Sequence, residues 1–382
     1  LDSALRRQVR VLHPLLGYIP SSADDGVSGH GAYQLMPIDY YFTHQSGKLH
    51  SERGLPAVPT YESLCRMLPP EGRWPIGLAW AQHDFTMQGA QGGQSFVSAV
   101  TAHFGPARDA RQFCEWAQWV NYDGYRAMYE GAARDRMGLL IWMSHPCWPT
   151  TVWQTYDYYL EPTAAYFGVK KACEPLHVQF NPVTKGVEVV NIAAGTHRGL
   201  TLTAQTLTAS GQLIRQWADT IDTHDDQTLR PLTLDLPDEE VYFVRLRLND
   251  GARTLSENTY VESRTPGQWQ ALCQLPKTRL GITQEFHSEG PAHKGTVTLT
   301  NDSDTPALMV RLNLKGSDGE QILPAVYSDN FFHLMPGERK VVTVSYRDED
   351  GRGLEPHVEC SFFNQDTSGS GPQQGASAGM RR

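Results

Sequence analysis

The sequence has 382 residues, of which 40% are hydrophobic and 20% are charged, and its formal net charge is −9. This composition is typical of a soluble globular protein, and the length is sufficient for two or three domains. The negative charge argues against nucleic acid as a partner, because nucleic-acid binding depends on Lys and Arg contacts to phosphate. No run of about eighteen apolar residues occurs, so the sequence predicts no membrane span.

Helix and strand patterns alternate through residues 1–175. Apolar residues three and four apart predict an opening helix that includes Leu1, and a domain that begins inside a helix suggests the C-terminal part of a longer protein. Short strands are predicted at 15–20, 48–52 and 138–144, and helices at 60–68, 95–105, 107–133 and 157–172. The strand at 138–144 is almost continuously apolar, which is typical of a parallel strand buried on both faces. The alternation therefore indicates about three strands of an incomplete (β/α)₈ TIM barrel.

The pattern changes after Pro175. Short β-branched runs separated by turn residues predict an antiparallel sandwich over 176–265, and a second set after a break predicts another sandwich over 279–364. The tail at 365–382 has no apolar pattern and is predicted to be disordered.

The cysteines of the chain show no metal-binding or redox spacing. There are six of them, and neither C-x-x-C nor H-E-x-x-H occurs. The sequence therefore predicts mostly free, buried thiols rather than a structural zinc site or a disulfide framework.

One stretch carries a long ordered motif. Residues 139–182 contain Trp142-Met143, Trp148-Pro149, Asp157-Tyr158, Gly168, Lys170-Lys171-Ala172 and Glu174-Pro175-Leu176-His177. This order closely resembles the last barrel strand and the following segment of glycoside hydrolase family 2, especially its exo-β-D-glucosaminidase and β-mannosidase branch. The resemblance covers roughly residues 1–364, and it implies the C-terminal part of a TIM barrel followed by two immunoglobulin-like β-sandwiches. Upstream, GHGAYQLMP resembles the family's G-P-Y loop, with Ala32 in place of the usual proline.

A carboxylate stands where the strand at 48–52 ends, just before a breaker that contains Gly54 and Pro56. A retaining glycosidase needs two carboxyl groups about 5–5.5 Å apart, one as nucleophile and one as proton donor. A strand end would hold the nucleophile rigidly. The resemblance assigns Glu52 to the position of the family's nucleophile, and the alternative is a surface carboxylate paired with Arg53.

The resemblance also implies substrate-binding residues, each with a structural alternative. Trp142 would form the floor under the sugar, or would pack in the core. Trp148 and His145 would line the pocket from the next loop, although His145 could equally be an ordinary surface histidine. Tyr33 would hydrogen-bond Glu52 or a sugar hydroxyl, or would only pack within its loop. The carboxylates of the long helix are expected on its solvated face: Glu115, Asp123 and Glu130.

These features predict the C-terminal half of a retaining, exo-acting β-glycosidase that cleaves a mannoside- or glucosaminide-type substrate through a covalent glycosyl-enzyme. The family's acid/base follows the fourth barrel strand, which this chain lacks, and Asp24 and Asp25 are poor substitutes. The chain alone is therefore predicted to be inactive, with the missing N-terminal part of the same protein as its partner.

This chemistry requires neither a metal ion nor an organic cofactor. The partner is predicted to be an oligosaccharide or other glycoside, and the resemblance favours a periplasmic or secreted location. The alternative function is a non-catalytic carbohydrate-binding or scaffolding protein, in which the sandwiches and aromatic loops bind glycan without cleaving it.

Overall fold

The computed structural model describes residues 1–24, 26–44, 47–88 and 92–368. Asp25 and most of the predicted disordered tail, from residue 369 to 382, lie outside the described residues. The first part of the chain contains α1 (Asp2–Leu12), β1 (Val27–Ser28), α2 (Tyr40–Thr43), β2 (Leu49–Arg53), α3 (Tyr61–Met67), α4 (Leu78–Ala81), α5 (Gly93–Phe104), α6 (Ala110–Ala133), β3 (Gly138–Ile141) and α7 (Ala164–Ala172).

The strands of this first part form one parallel sheet in the order β1-β2-β3. Leu49 of β2 pairs with Val27 on one side and with Gly138 on the other, so the carboxyl ends of the strands meet at one edge. Leu140 of β3 is 56% exposed, so the prediction that this strand is buried on both faces is wrong for the described part of the chain. The predicted strand at 15–20 is also wrong, since Pro14, Gly17 and Pro20 disfavour a regular ladder there.

The long helix α6 organises the first part of the chain. The Asp109 carboxylate accepts a hydrogen bond from the Gln112 amide at 2.9 Å and caps the start of the helix. Nearly every face of α6 is buried, and α7 packs closely against it. A Cβ at Gly168 of α7 would come within 2.3 Å of the Tyr122 carbonyl oxygen, so this helix crossing requires glycine. Among the described residues, no helix is both long and apolar enough to cross a membrane.

Two antiparallel sheets follow, with strand orders β4-β5-β8 and β10-β9-β6-β7. Their own apolar core includes Val178, Val189, Leu202 and Leu246. The last strand of this set was missed in the sequence analysis, because its polar residues hide the apolar alternation. The strands are β4 (Leu176–Asn181), β5 (Gly186–Asn191), β6 (His197–Thr208), β7 (Leu213–Thr223), β8 (Gln227–Thr233), β9 (Val241–Asp250) and β10 (Arg253–Ser263).

The second set of strands forms sheets in the orders β11-β12-β16-β14 and β15-β13-β17. Its core is continuous with that of the helices, since Trp119 of α6 packs on Trp269 and Phe363. The strands are β11 (Gly281–Glu289), β12 (Ala292–Thr300), β13 (Ala307–Gly316), β14 (Val326–Tyr327), β15 (Phe332–Leu334), β16 (Arg339–Arg347) and β17 (Pro356–Ser361).

A buried polar cluster joins α6 to the first set of strands. Glu130 is 1% exposed, and its Oε1 accepts hydrogen bonds from Tyr260 at 2.7 Å and Asn258 at 3.2 Å and lies 3.0 Å from His177 Nε2. Burial opposes the charge on His177, but its hydrogen bonds to Glu130 and Glu174 raise its pKa overall. The expectation that Glu130 lies on a solvated face is therefore wrong, whereas Glu115 is exposed as expected.

An arginine joins the second set of strands to the helices. Arg311 of β13 donates to Glu62 at 2.9 Å and to Glu161 at 2.6 Å, and Thr60 also donates to Glu161 at 2.7 Å. Burial alone would raise the pKa of Glu62, but the Arg311 charge and hydrogen bond dominate and lower it to about 2. This ion pair holds α3 against the second set of strands.

The cysteines are all free, as predicted. Their expected burial holds for Cys114, whereas Cys147 and Cys173 are exposed.

Candidate active site

The candidate site lies at the edge where the parallel strands end. Glu52 is near the end of β2, Trp142 directly follows β3, and the loop that carries Tyr33 follows β1. Backbone hydrogen bonds fix these segments together: Gly31 N donates to the Glu52 carbonyl at 3.2 Å, and Trp142 N donates to the Arg53 carbonyl at 2.9 Å. The parallel register thus brings together three residues that are far apart in the sequence.

Glu52 is half-buried, and the Tyr33 hydroxyl lies close enough to its carboxylate for the two groups to interact. Burial of Tyr33, followed by hydrogen bonding toward Glu52 and the charge of that carboxylate, raises the pKa of Tyr33. The phenol therefore stays protonated at neutral pH and remains a donor toward the carboxylate. Tyr33 is one of the residues that the sequence analysis assigned to the site, and its role there stays a prediction.

The neighbours of Glu52 on its strand have a different environment. Arg53 is 3% exposed, and its guanidinium lies 6.0 Å from the centre of the Tyr40 ring. Glu52 is only half-buried, and the pairing of β2 with β3 shifts register between His50 and Arg53, so the two neighbours differ in exposure. His50, two residues before Glu52, is 3% exposed; burial and then the charge of Arg53 lower its pKa to about 4. His50 is therefore neutral at neutral pH.

Aromatic rings form one wall beside Glu52. The Tyr33 ring packs edge-on against Trp142, with centroids 6.3 Å apart, and tilts against Trp153 at 5.8 Å. Trp142 is 39% exposed, so part of its indole is open to a ligand. A Cβ at Gly54 would lie 1.9 Å from the Trp142 carbonyl oxygen, so glycine is required where β2 leaves this wall.

Trp148 and His145 lie further along the loop after β3. Trp148 is 41% exposed and stacks on His83, with centroids 5.5 Å apart, and His83 Nδ1 is 2.7 Å from the Pro149 carbonyl oxygen. His145 is exposed, and its Nδ1 is 2.9 Å from Ser144 Oγ. In the described part of the chain, neither side chain forms a ring contact or hydrogen bond with Glu52 or Tyr33. Their assignment to the sugar pocket stays a prediction.

Trp153 was missed by the sequence analysis. Its Nε1 donates to the Tyr33 carbonyl at 2.8 Å, and its own carbonyl accepts from Met143 N at 2.9 Å. No spacing rule separates this tryptophan from those that fill the core. The only available signal is its position at the end of the loop that contains Trp148. Within the described ranges, no three His, Cys, Asp or Glu side chains gather in a way that could hold a metal ion.

Comparisons with known proteins show what this chain is similar to. Residues 258–365 match the family model described as the exo-β-D-glucosaminidase Ig-fold domain. The exo-β-D-glucosaminidase of Streptomyces avermitilis is 28% identical over 90% of this chain and 43% of that protein. The mannosylglycoprotein endo-β-mannosidase of Lilium longiflorum is 26% identical over 87% of this chain and 44% of that protein.

A crystal structure gives the same result for the fold. The exo-chitosanase CsxA of Amycolatopsis orientalis superposes with a TM-score of 0.86 and 24% identity, covering 95% of this chain and 49% of that one. The chain spans less than half the length of these proteins. The resemblance is thereby confirmed: the chain is similar to the C-terminal part of exo-β-D-glucosaminidases and of a mannosylglycoprotein endo-β-mannosidase.

Proposed function

We propose that this chain supplies the nucleophile side of the active site of a retaining, exo-acting β-glycosidase that cleaves a mannoside- or glucosaminide-type substrate. The observation that carries the proposal is the half-buried Glu52 at a strand end, next to Tyr33, whose ring packs against the partly exposed Trp142. The names of the homologues support hydrolysis of a β-glycoside, since those proteins are an exo-β-D-glucosaminidase and a mannosylglycoprotein endo-β-mannosidase, and the first name supports exo action.

Glu52 attacks the anomeric carbon in this proposal, and the aglycone leaves as a covalent glycosyl-enzyme forms. The Tyr33 hydroxyl donates to the carboxylate and orients the attacking oxygen. The exposed part of Trp142 provides a flat apolar surface under the sugar ring. Water then cleaves the glycosyl-enzyme, so the product keeps the anomeric configuration of the substrate.

The second carboxyl group, which donates the proton, is assigned to a part of the complete protein that this chain does not include. A retaining pair requires a proton donor about 5–5.5 Å from the nucleophile, and the chain spans only 43% of the Streptomyces avermitilis relative. The sheet β1-β2-β3 is then the last part of a (β/α)₈ barrel. The chain has three domains in this proposal: the barrel part at 1–175 and two immunoglobulin-like β-sandwiches at 176–265 and 279–364. By itself the chain is expected to show little or no turnover.

The test begins with the complete protein and a panel of aryl β-glycosides that includes mannosides, glucosaminides and glucosides. The best substrate class is then presented as a 5-fluoro-β-glycosyl fluoride, which keeps the 2-substituent and lets the glycosyl-enzyme accumulate. Peptide mass spectrometry is expected to find the sugar on Glu52. A label on another residue would overturn the nucleophile assignment.

The non-catalytic alternative has a different outcome in the same experiment. Binding of an oligosaccharide without turnover of any aryl glycoside and without covalent labelling would support a carbohydrate-binding protein. Proton NMR of the first-formed product distinguishes retention from inversion of the anomeric centre.

A further inference from the structure

Trp153 occupies the point where the segments of the candidate site meet. Its indole Nε1 donates to the Tyr33 carbonyl at 2.8 Å, and its ring packs on the Tyr33 ring with centroids 5.8 Å apart. Its backbone carbonyl accepts from Met143 N at 2.9 Å, directly after Trp142. Trp153 Cδ1 would lie 3.4 Å from a Cβ at Gly54, which follows the end of β2. One residue therefore contacts the segments that follow β1 and β3 and lies beside the segment that follows β2.

The backbone of Trp153 adds an independent observation. Its φ of +52° lies in the left-handed region, which a bulky side chain rarely occupies. Such a conformation persists only where the surroundings fix it, and these outliers cluster at functional sites. Here the hydrogen bonds to Tyr33 and Met143 fix the backbone of Trp153. Tyr33 lies next to Glu52, and Met143 follows Trp142 of the candidate site.

We propose that Trp153 is a positioning residue that acts through Tyr33: it holds the Tyr33 loop so that the phenol hydroxyl stays on the Glu52 carboxylate. This inference rests on the proposed function of Glu52 as nucleophile. Trp153 does not contact the sugar in this scheme. Its indole N–H sets the position of the Tyr33 backbone, and the ring contact sets the direction of the Tyr33 side chain.

A matched control exists in the same chain. Trp80 donates its Nε1 hydrogen to the Arg73 carbonyl at 3.0 Å, which is the same type of bond as that of Trp153. Trp80 is fully buried in the core against Phe85 and Phe113. Loss of its N–H removes an indole–carbonyl bond without touching the candidate site.

The experiment measures kcat and KM of the complete protein with its best aryl β-glycoside. In Trp153→Phe, kcat is expected to fall about tenfold while KM changes less than about threefold, because a small displacement of a catalytic group is costly in rate. In Trp80→Phe, kcat per folded molecule is expected to stay within about twofold of the parent. Replacing Trp153 by 3-benzothienylalanine, which keeps the bicyclic shape without the N–H, gives the same comparison if Trp153→Phe does not fold.

Two further variants decide whether Trp153 acts through Tyr33. The double variant Trp153→Phe/Tyr33→Phe is expected to have the kcat of Tyr33→Phe alone, since residues in one chain of contacts are not additive. Independent, multiplicative losses would overturn the inference, and so would a Trp153 variant with the kcat of the Trp80 variant. Glu52→Gln, run in the same assay, separates the two proposals: its retained activity would refute the nucleophile assignment itself.

Discussion

Two glutamates of this chain show how differently a carboxylate can be held. Glu130 of α6 is 1% exposed and is enclosed by Tyr260, Asn258 and His177. Glu52 is half-buried at a strand end, beside a partly exposed tryptophan, with the Tyr33 hydroxyl on its carboxylate. The carboxylate of Glu130 is occupied by protein groups and serves to join two units of the fold. Glu52 is less buried than Glu130, which fits its proposed role as an attacking group.

The largest expected effect is on turnover. Glu52→Gln should lower kcat of the complete protein by at least about 10³-fold, which corresponds to about 4 kcal/mol in the activation barrier, because an amide cannot form the glycosyl-enzyme. Its free energy of unfolding should change by only about 0.5 kcal/mol, since the side chain is half-buried. Steady-state kinetics and urea unfolding measure the two quantities. Activity above about a tenth of the parent value would contradict the assignment of Glu52 as the nucleophile.

Glu130→Gln should show the opposite pattern. Removing one charge from a buried, hydrogen-bonded cluster should lower the free energy of unfolding by about 4 kcal/mol, because the buried His177 loses a charged partner. The kcat per folded molecule should stay within about twofold of the parent. The same urea and kinetic measurements serve as the check. A variant with normal stability and lost activity would contradict the structural role.

The Arg311 ion pair should give a smaller, pH-dependent effect. Arg311→Met should destabilise by about 3 kcal/mol at neutral pH, because it removes the cation that is hydrogen-bonded to the buried Glu161 and to the half-buried Glu62. The pKa of Glu62 is lowered from 4.5 to about 2, so this stabilisation is complete above pH 4.5 and is lost as the pH falls through 2. The gap in unfolding free energy between parent and variant should therefore narrow between pH 4.5 and pH 2.

An exposed ion pair provides the control for Arg311. Arg215 pairs with Asp235 on the surface, where both side chains are more than half exposed. Arg215→Met should change the unfolding free energy by less than about 1 kcal/mol at any pH, because exposed pairs contribute little. Equal pH profiles for the two arginine variants would refute the assignment of the effect to Glu62.

The smallest expected effect on activity is a difference in kcat/KM between variants of two exposed tryptophans. Trp142→Ala should lower kcat/KM by about tenfold, or about 1.4 kcal/mol, because the ring beside Tyr33 is assigned to the sugar surface. Trp148→Ala should change kcat/KM by less than about threefold, since its ring stacks on His83 instead. Kinetics with one aryl glycoside compare them, and thermal unfolding confirms that both fold. A larger loss of kcat/KM for the Trp148 variant would indicate that the sugar binds against Trp148, in the loop after β3, rather than against Trp142.

The sequence by itself predicted the resemblance, most of the strands and the position of Glu52 at the end of a strand. These follow from local signals: apolar periodicity, turn residues and a motif whose order spans residues 139–182. The positions of α3 and α6 were also predictable, because Pro69 marks a helix stop and Asp109 can cap a helix start. The missed strand β10 shows the limit, since its polar residues obscure the alternation.

Only the tertiary structure decided which of the chemically similar residues share an environment. The register of the parallel strands brings Tyr33, Glu52 and Trp142 to one edge, although about a hundred residues separate the first from the last. The same long-range packing buried Glu130, which its helix position alone could not reveal. It also placed Trp153 against Tyr33. Contacts of this kind depend on how distant segments pack, and a local pattern of side chains carries no information about that.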